Sequence, residues 1–542
     1  ALTPLNIMSY TSTKVSTTAF KDQKPGTSGL RKPTKTFQVP NYTENFIQSI
    51  LSSQNVAGTT LVVGGDGRYF GREAIQLIIQ ISAANQVSKL LVGQHGILST
   101  PAVSNIIRKY KALGGILLTA SHNPGGPDAD FGIKYNGSNG GPAVESVTSA
   151  IYDISLKLKQ YDIADIPQVD IDTVGTQTFQ VDGREFVVEV IDAVADYVEL
   201  MKEIFDFEKL KASRLPILIN CMNGVTGPYA ERIFVEELGY SPESVIKSKP
   251  LPDFGGLHPD PNLTYAKDMV DTMKTSQNLQ FGAAYDGDGD RNMILGQAGA
   301  FVQPGDSLAI IAANLQSIPY FQKTGITGVA RSMPTSCAVD RVAKALNLKF
   351  YEVPTGWKFF GNLMDAGEID LCGEESFGTG STHVREKDGI WASLAWLSIL
   401  AAKGSTIKEI LDEHWKVYGR NFFLRMDYEN VDSQKADNLM RNIEGQFGTL
   451  EAKCDSYSYV DPIDKSVTKN QGLRIDLGNG SRIIYRLSGT GSSGSTVRVY
   501  IEKYDTNYDQ DVQVATDDIV RQALSISNLQ GVLGVDAPTV VT

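Results

Sequence analysis

Short apolar runs rich in β-branched residues alternate with longer stretches whose apolar residues recur at helical spacing, and this rhythm persists through roughly the first 420 residues. Thr60–Val63, Lys89–Val92 and Ile116–Thr119 read as strands. Between them, Arg72–Ala84 and Ala102–Leu113 read as helices, the first from Ile75, Leu77, Ile78 and Ile81. Strand, helix, strand in series demands a mostly parallel sheet with helices on its faces. The rhythm restarts at Leu215–Asn220, with a helix over Tyr229–Leu238 and a strand at Gly282–Tyr285. A third round runs from Ser307–Leu315 to a helix over Gly389–Ala402. The last section breaks the pattern: a helix over Ser433–Phe447, closely spaced strands at Leu473–Leu477, Ile483–Leu487 and Val497–Ile501, then a helix near Asp517–Ser527. The expected class is α/β, with three successive α/β domains of mixed, mostly parallel sheets followed by a C-terminal α+β domain. The expected boundaries are residues 1–194, 195–302, 303–419 and 420–542.

Composition removes several functions. A chain of 542 residues has room for three or four domains. Its 50 Lys+Arg against 62 Asp+Glu leave a formal net charge of −12, which argues against a general nucleic-acid binder but leaves room for a local basic pocket. The uncharged, apolar stretch Gly389–Ala402 is 14 residues long and suits a buried helix, since a membrane span takes about 20 residues. The start lacks the apolar run of a signal peptide, and its first arginine is Arg31, so a cytoplasmic protein is expected. Cys221, Cys337, Cys372 and Cys454 are scattered without a CxxC pair, which fits reduced thiols better than a disulfide framework or a zinc site.

Parallel α/β sheets bind ligands beyond the carboxyl ends of their strands. Three such ends carry polar, glycine-rich loops: Ala120-Ser121-His122-Asn123-Pro124-Gly125-Gly126, Asp286-Gly287-Asp288-Gly289-Asp290-Arg291 and Gly373-Glu374-Glu375-Ser376-Phe377-Gly378. In an extended segment alternate residues face the same way, so Asp286, Asp288 and Asp290 can converge on one hard cation such as Mg²⁺. A calcium-sensing loop would need Gly at Arg291 and Glu at Gln297. The alternative is a turn of solvated aspartates. Ser121 stands at a sharp turn, either as a nucleophile or phosphoryl carrier or as a hydroxyl that caps the turn. With five histidines and no GxSxG elbow, a Ser-His-Asp hydrolase fits poorly. Lys134, in the strand-like Phe131–Asn136, can aim at the same loop.

Near the C-terminus, Arg486-Leu487-Ser488-Gly489-Thr490-Gly491-Ser492-Ser493-Gly494 contains GxGxxG, yet a strand pattern rather than a helix follows. A Walker loop is excluded as well, since Ser495 stands where its lysine belongs. What remains is a cradle of N–H and hydroxyl groups between Arg486 and Arg498, suited to a phosphate dianion, or else a hairpin turn. Glu374 and Ser376 offer acceptors for sugar hydroxyls.

In this order, TASHNPGG, DGDGDR, TGWKFF, GEESFG and RLSGTGS resemble the α-D-phosphohexomutase superfamily. With KPGTSGLR near the start, the chain is most similar to its eukaryotic phosphoglucomutase branch, which includes the ciliate form called parafusin. The matching segments run from Lys24 to Arg498. The resemblance implies four domains around a deep central cleft. It implies a Ser121 that is phosphorylated in the working enzyme, and one Mg²⁺ held by Asp286, Asp288, Asp290 and a phosphoserine oxygen. It implies sugar contacts at Thr355, Gly356, Glu374 and Ser376, and phosphate contacts at Arg486, Ser488, Gly489, Thr490 and Arg498. Arg31, His122, Lys134, Arg291 and Lys387 would line the reaction centre. Lys134 is the candidate base, on the expectation of positive neighbours, with His122 as its rival.

The implied activity interconverts α-D-glucose 1-phosphate and glucose 6-phosphate, with glucose 1,6-bisphosphate as intermediate and activator. The implied partner is a small phosphosugar, with no nucleic acid and no integral membrane association, and the implied state is a monomer or weak homodimer. The alternatives are a phosphomannomutase and a non-catalytic scaffold, and a parafusin-like part in regulated exocytosis is compatible with mutase chemistry. A haloacid-dehalogenase reading of Asp286-Gly287-Asp288-Gly289 would put the phosphate on Asp286, but those enzymes place Thr or Val where Asp290 stands.

Overall fold

The apolar runs become the central strands of successive sheets in a computed structural model that describes residues 8–489 and 494–542. The first sheet has eight strands. Its centre sets Arg184–Ile191, Lys89–Ile97, Thr60–Gly65 and Gly114–Leu118 side by side and parallel. Leu61, Val62, Val63, Leu90 and Val92 are inaccessible there because helices cover both faces. The second sheet orders Val245–Ile246, Ile217–Asn220, Phe281–Tyr285, Asn292–Gly296 and Phe301–Val302. The third orders Lys349–Val353, Gly328–Ser332, Leu371–Glu374 and Gly378–Ser381.

One device recurs in all three. A parallel strand ends, a short loop turns, and the chain returns antiparallel beside it. Gly114–Leu118 returns as Asp130–Asn136, Phe281–Tyr285 as Asn292–Gly296, and Leu371–Glu374 as Gly378–Ser381. The three polar loops singled out in the sequence are these turns.

The fourth sheet is antiparallel and has six strands, with helices Ser433–Gly445 and Val512–Ser527 completing an α+β unit. Three of its strands match the expected ones, but the long strand Arg420–Val431, which pairs along Ser495–Asp505, has no counterpart in the sequence reading. Its alternation is masked by Arg425 and Asp427, charged residues buried within the strand and paired to each other. The helix expected over Tyr229–Leu238 starts earlier, at Thr226, and widens into a π-helix over Glu231–Glu237.

The first three units share one continuous apolar core that runs from Val62 and Val103 through Ile219 and Phe281 to Leu308 and Trp396. Helix Gly389–Lys403 belongs to it. Every residue from Gly389 to Leu400 is buried, the burial of a helix that is apolar all round. Asp388 caps its start and Gly404, at φ 63°, ends it. The fourth unit has its own core, and a smaller cluster of Trp357, Phe360, Phe423, Ile484 and Tyr500 joins it to the third. Among the described residues no single helix is long and apolar enough to cross a membrane.

Because Ile399 lies in the shared core with no accessible surface, Ile399→Ala is expected to destabilise the protein by about 2–5 kcal/mol. Chemical denaturation monitored by tryptophan fluorescence checks this, and an unchanged midpoint would contradict a common core.

Candidate active site

Ser121 follows strand Gly114–Leu118 and adopts φ 52°, the left-handed region that side chains other than glycine rarely enter. Neighbouring groups hold it there. Its N–H donates to Thr119 Oγ1 at 2.9 Å, and its carbonyl accepts from Arg68 Nη2 at 3.3 Å. Arg68 and Asp66 are both buried and bridge bidentately, with Nε–Oδ1 at 3.1 Å and Nη2–Oδ2 at 2.9 Å. Arg68 Nη1 also donates to the carbonyls of Pro124 and Asp130, and Thr119 Oγ1 donates to Asp66 at 2.6 Å. Asp66 and Arg68 therefore staple the whole serine loop. The sequence reading passed over them, although they end the strand Thr60–Gly65 as polar residues in a Gly-Asp-Gly-Arg turn.

The acidic loop meets the serine loop directly. Ser121 Oγ donates to Asp286 Oδ2 at 2.9 Å. A Cβ on Gly287 would lie 2.6 Å from the Ser121 carbonyl oxygen, so only glycine permits this approach. Gly289, at φ 79°, makes the second bend. Asp286, Asp288 and Asp290 are buried, and each offers an oxygen within 4.8 Å of the others'. Asp288 Oδ2 accepts from Thr100 Oγ1 at 2.7 Å, while Asp288 Oδ1 and Asp290 Oδ1 have no hydrogen-bond partner among the described residues. Buried, converging hard oxygens with unmet lone pairs suit a metal ion. Burial and the neighbouring carboxylates push Asp286 well above the ordinary carboxylate range and Asp288 up to about 6. Burial also raises Asp290, but Lys387 and Arg291 outweigh it and bring that carboxyl below its ordinary value.

A cavity of about 500 Å³ opens over this pair of loops. It gathers Arg31, Ser121, Lys134, Asp288, Asp290, Arg291 and Lys387 with Thr355, Gly356, Glu374 and Ser376, and closes on Arg486, Ser488, Gly489 and Arg498. Asp286 lies behind Ser121 with no accessible surface. Thr490 lies outside the described residues. Lys387 Nζ stands 3.7 Å from Asp290 Oδ2 and 3.8 Å from Glu374 Oε2, and these carboxylates outweigh burial to hold its pKa above the ordinary value. Glu374 accepts from the Gly356 N–H at 3.3 Å and from Ser376 Oγ at 3.4 Å, which ties the Thr355–Gly356 turn to the Glu374–Ser376 loop. Across the cavity Arg486 donates to Tyr500 OH at 3.0 Å, and Arg498 Nε faces Asp427 Oδ1 at 3.6 Å.

Two expectations change. His122 does not face this cleft. It lines a second cavity of about 180 Å³ with His258, Asp260 and Asp427, on the other side of Arg291 and Arg498. Ser121, the left-handed residue of the turn, lines the first cavity and His122 the second. Burial, then Arg291 and Arg31, hold the His122 imidazole well below its usual range. Lys134, expected among positive neighbours, meets a carboxylate at its tip, since Lys134 Nζ donates to buried Glu386.

Four family profiles tile the chain. Phosphoglucomutase/phosphomannomutase alpha/beta/alpha domain I matches residues 22–162, domain II 195–299 and domain III 304–418, and the phosphoglucomutase-1 C-terminal domain matches 420–539. The sequence is 55% identical over 558 residues to phosphoglucomutase-1 of Bos taurus, covering 97% of this chain and 99% of that protein. It is 51% identical over 577 residues to a protein of Populus tremula named cytoplasmic phosphoglucomutase, covering 98% and 99%. Among solved structures, the open form of the Paramecium exocytosis-sensitive phosphoprotein pp63/parafusin, a phosphoglucomutase, matches with a TM-score of 0.91 at 47% identity, covering 99% of this chain and 100% of that one.

Raised carboxyls bind protons more tightly folded than unfolded, so in the metal-free protein the stability that protonation of Asp288 contributes is lost as pH rises through about 6. A divalent cation takes the protons' place. Thermal unfolding is therefore expected to show larger cation stabilisation at pH 8 than at pH 5, approaching about 2.7 kcal/mol at a hundredfold excess over Kd. Equal shifts at both pH values, or a shift undiminished in Asp288→Asn, would contradict the triad as the ligand set.

Proposed function

The chain belongs to the phosphoglucomutase/phosphomannomutase family, and from that premise we propose that its cleft interconverts α-D-glucose 1-phosphate and glucose 6-phosphate by phosphoryl exchange at Ser121. The observation that carries this reading is the placement of Ser121 Oγ against Asp286 at one end of a cavity whose other wall is formed by Arg486, Ser488, Gly489 and Arg498. A hexose phosphate that presents a hydroxyl to phosphorylated Ser121 while its own phosphate rests on the opposite wall needs that geometry. Four units, residues 1–194, 195–302, 303–419 and 420–542, each bring one loop to it.

Phosphoryl transfer needs charge neutralisation and in-line positioning more than covalent chemistry from the protein. Asp286, Asp288 and Asp290 would hold one Mg²⁺, which when bound neutralises charge on the phosphoryl group. Arg31, Arg291 and Lys387 add fixed positive charge around the same point. With Ser121 phosphorylated, a sugar hydroxyl oxygen bonds to phosphorus as the bond from phosphorus to Ser121 Oγ breaks. The hydroxyl proton leaves to a base on the cleft wall. The Ser121 oxygen departs with the bond's electron pair and takes up a proton to become the hydroxyl that donates to Asp286. Lys134 lines that wall and His122 does not, so Lys134 takes the role. The product, glucose 1,6-bisphosphate, turns within the cleft and returns its other phosphate to Ser121.

Arg486, Ser488, Gly489 and Arg498 hold whichever phosphate is idle, with Thr490 the remaining member of that arm. Glu374 and Ser376, with Thr355 and Gly356, bind the sugar hydroxyls in both orientations, and the Glu374 carboxylate, which a phosphate dianion repels, favours the uncharged end of the substrate. The enzyme acts on a small phosphosugar as a monomer or weak homodimer, in the compartment named for the Populus relative. The designation of the Paramecium relative supports a second role in regulated exocytosis that leaves this chemistry unchanged.

A coupled assay for glucose 6-phosphate on the purified protein tests the reading. Turnover of glucose 1-phosphate with Mg²⁺ and a trace of the bisphosphate is expected, and Ser121→Ala should fall by about 10³-fold or more, the scale of losing a covalent carrier. Normal turnover by that variant would overturn the scheme.

A further inference from the structure

Residues 386–388 precede helix Gly389–Lys403 and send three consecutive side chains to three different parts of the molecule. Lys387 reaches Asp290 of the acidic loop and Glu374 of the sugar-type loop. Asp388 accepts from Tyr197 OH at 2.6 Å and from the Trp391 N–H at 3.2 Å, and it pairs with His383 at 2.8 Å, which anchors the segment from behind. Gly389 N–H donates to the Gly289 carbonyl at 3.1 Å, which pins the segment to the acidic loop itself. The segment therefore has little freedom to move independently of the reaction centre.

Glu386 is the remaining member. Its side chain is 1% exposed, against 10% for Lys134. One oxygen, Oε2, accepts both from Lys134 Nζ and from Asn136 Nδ2, the latter at 3.1 Å. Asn136 lies two residues along the same strand as Lys134, on the same face, and also donates to the Gly140 carbonyl. Glu386 itself lines the cleft beside Lys134. A lysine has four rotatable bonds, and one that must present a nitrogen lone pair at a fixed point needs an external hold. A buried carboxylate that already accepts from an asparagine anchored to the backbone is a rigid hold.

We infer that Glu386 is a positioning residue for the transfer step: it fixes the Lys134 amine at the cleft wall, and it makes the first unit's base and the third unit's Lys387 a single assembly. This rests on the reading of Lys134 as the base. Glu386 touches neither phosphorus nor the attacking oxygen and acts only through Lys134.

A double-mutant cycle separates the two claims. Lys134→Ala is expected to lower kcat by about 10²–10⁴-fold, the usual weight of a general base. Glu386→Gln should lower kcat by about 10²-fold or more with KM within about threefold, and Lys134→Ala/Glu386→Gln should be no slower than Lys134→Ala by more than about threefold. Glu386→Asp, which keeps the charge but withdraws it by one methylene, should lose about tenfold and be masked in the same way. It supplies the test if the glutamine variant does not fold. If Lys134→Ala is impaired but the losses multiply, or if either Glu386 variant keeps wild-type kcat, the positioning role is overturned and the base stands. Wild-type turnover in Lys134→Ala would overturn the base assignment and this inference with it.

Discussion

Three carboxylates buried within 4.8 Å of one another are the constraint around which this molecule is arranged. Like charges that close repel in a medium where water cannot screen them, and each buried charge also loses its hydration. The protein answers with cations from separate parts of the chain: Arg31 from the first sheet, Arg291 beside the triad, and Lys387 from the third unit. The compensation is uneven. Lys387 and Arg291 draw Asp290 below its ordinary value while Asp286 and Asp288 stay raised, which leaves one side of the cluster electrostatically unsatisfied and ready for a cation. Ser121 Oγ donates to Asp286 on that cluster's edge.

The fold makes such convergence repeatable. A parallel strand followed by an antiparallel return fixes both ends of the loop between them, so the loop's polar side chains are aimed without a long flexible segment. Three sheets use this device, and a common core keeps their loops in register with one another. The fourth unit is attached through the cluster around Trp357 and Tyr500 and through the buried Arg425, which joins Glu375 of the sugar-type loop to Asp427 of the long strand. The long strand, whose Asp427 faces Arg498, is therefore tied to the Glu374–Ser376 loop by an ion pair at 2.8 Å.

Ser121, the three aspartates, Glu374 and Arg486 were legible in the sequence because each belongs to a local pattern, an apolar run ending in a polar, glycine-rich turn. That signal requires only neighbours in the chain. Asp66 and Arg68 carry the same local signal but not their role, which comes from Thr119 and Ser121, each 53 residues away. Glu386 follows no such turn, and its partner lies 252 residues away. The strand Arg420–Val431 was missed for a related reason: a charged residue reads as exposed until its buried partner is known. His122 illustrates the converse. It stands beside Ser121 in the chain, yet it lines a different cavity.

Intact-mass analysis with phosphopeptide mapping, before and after glucose 1-phosphate is added with Mg²⁺, tests the central claim most directly. The account predicts one phosphate per chain on the peptide containing Ser121, exchanging with label from the sugar phosphate at the rate of turnover. Phosphate found instead on Asp286, or turnover with no label ever reaching Ser121, would contradict it.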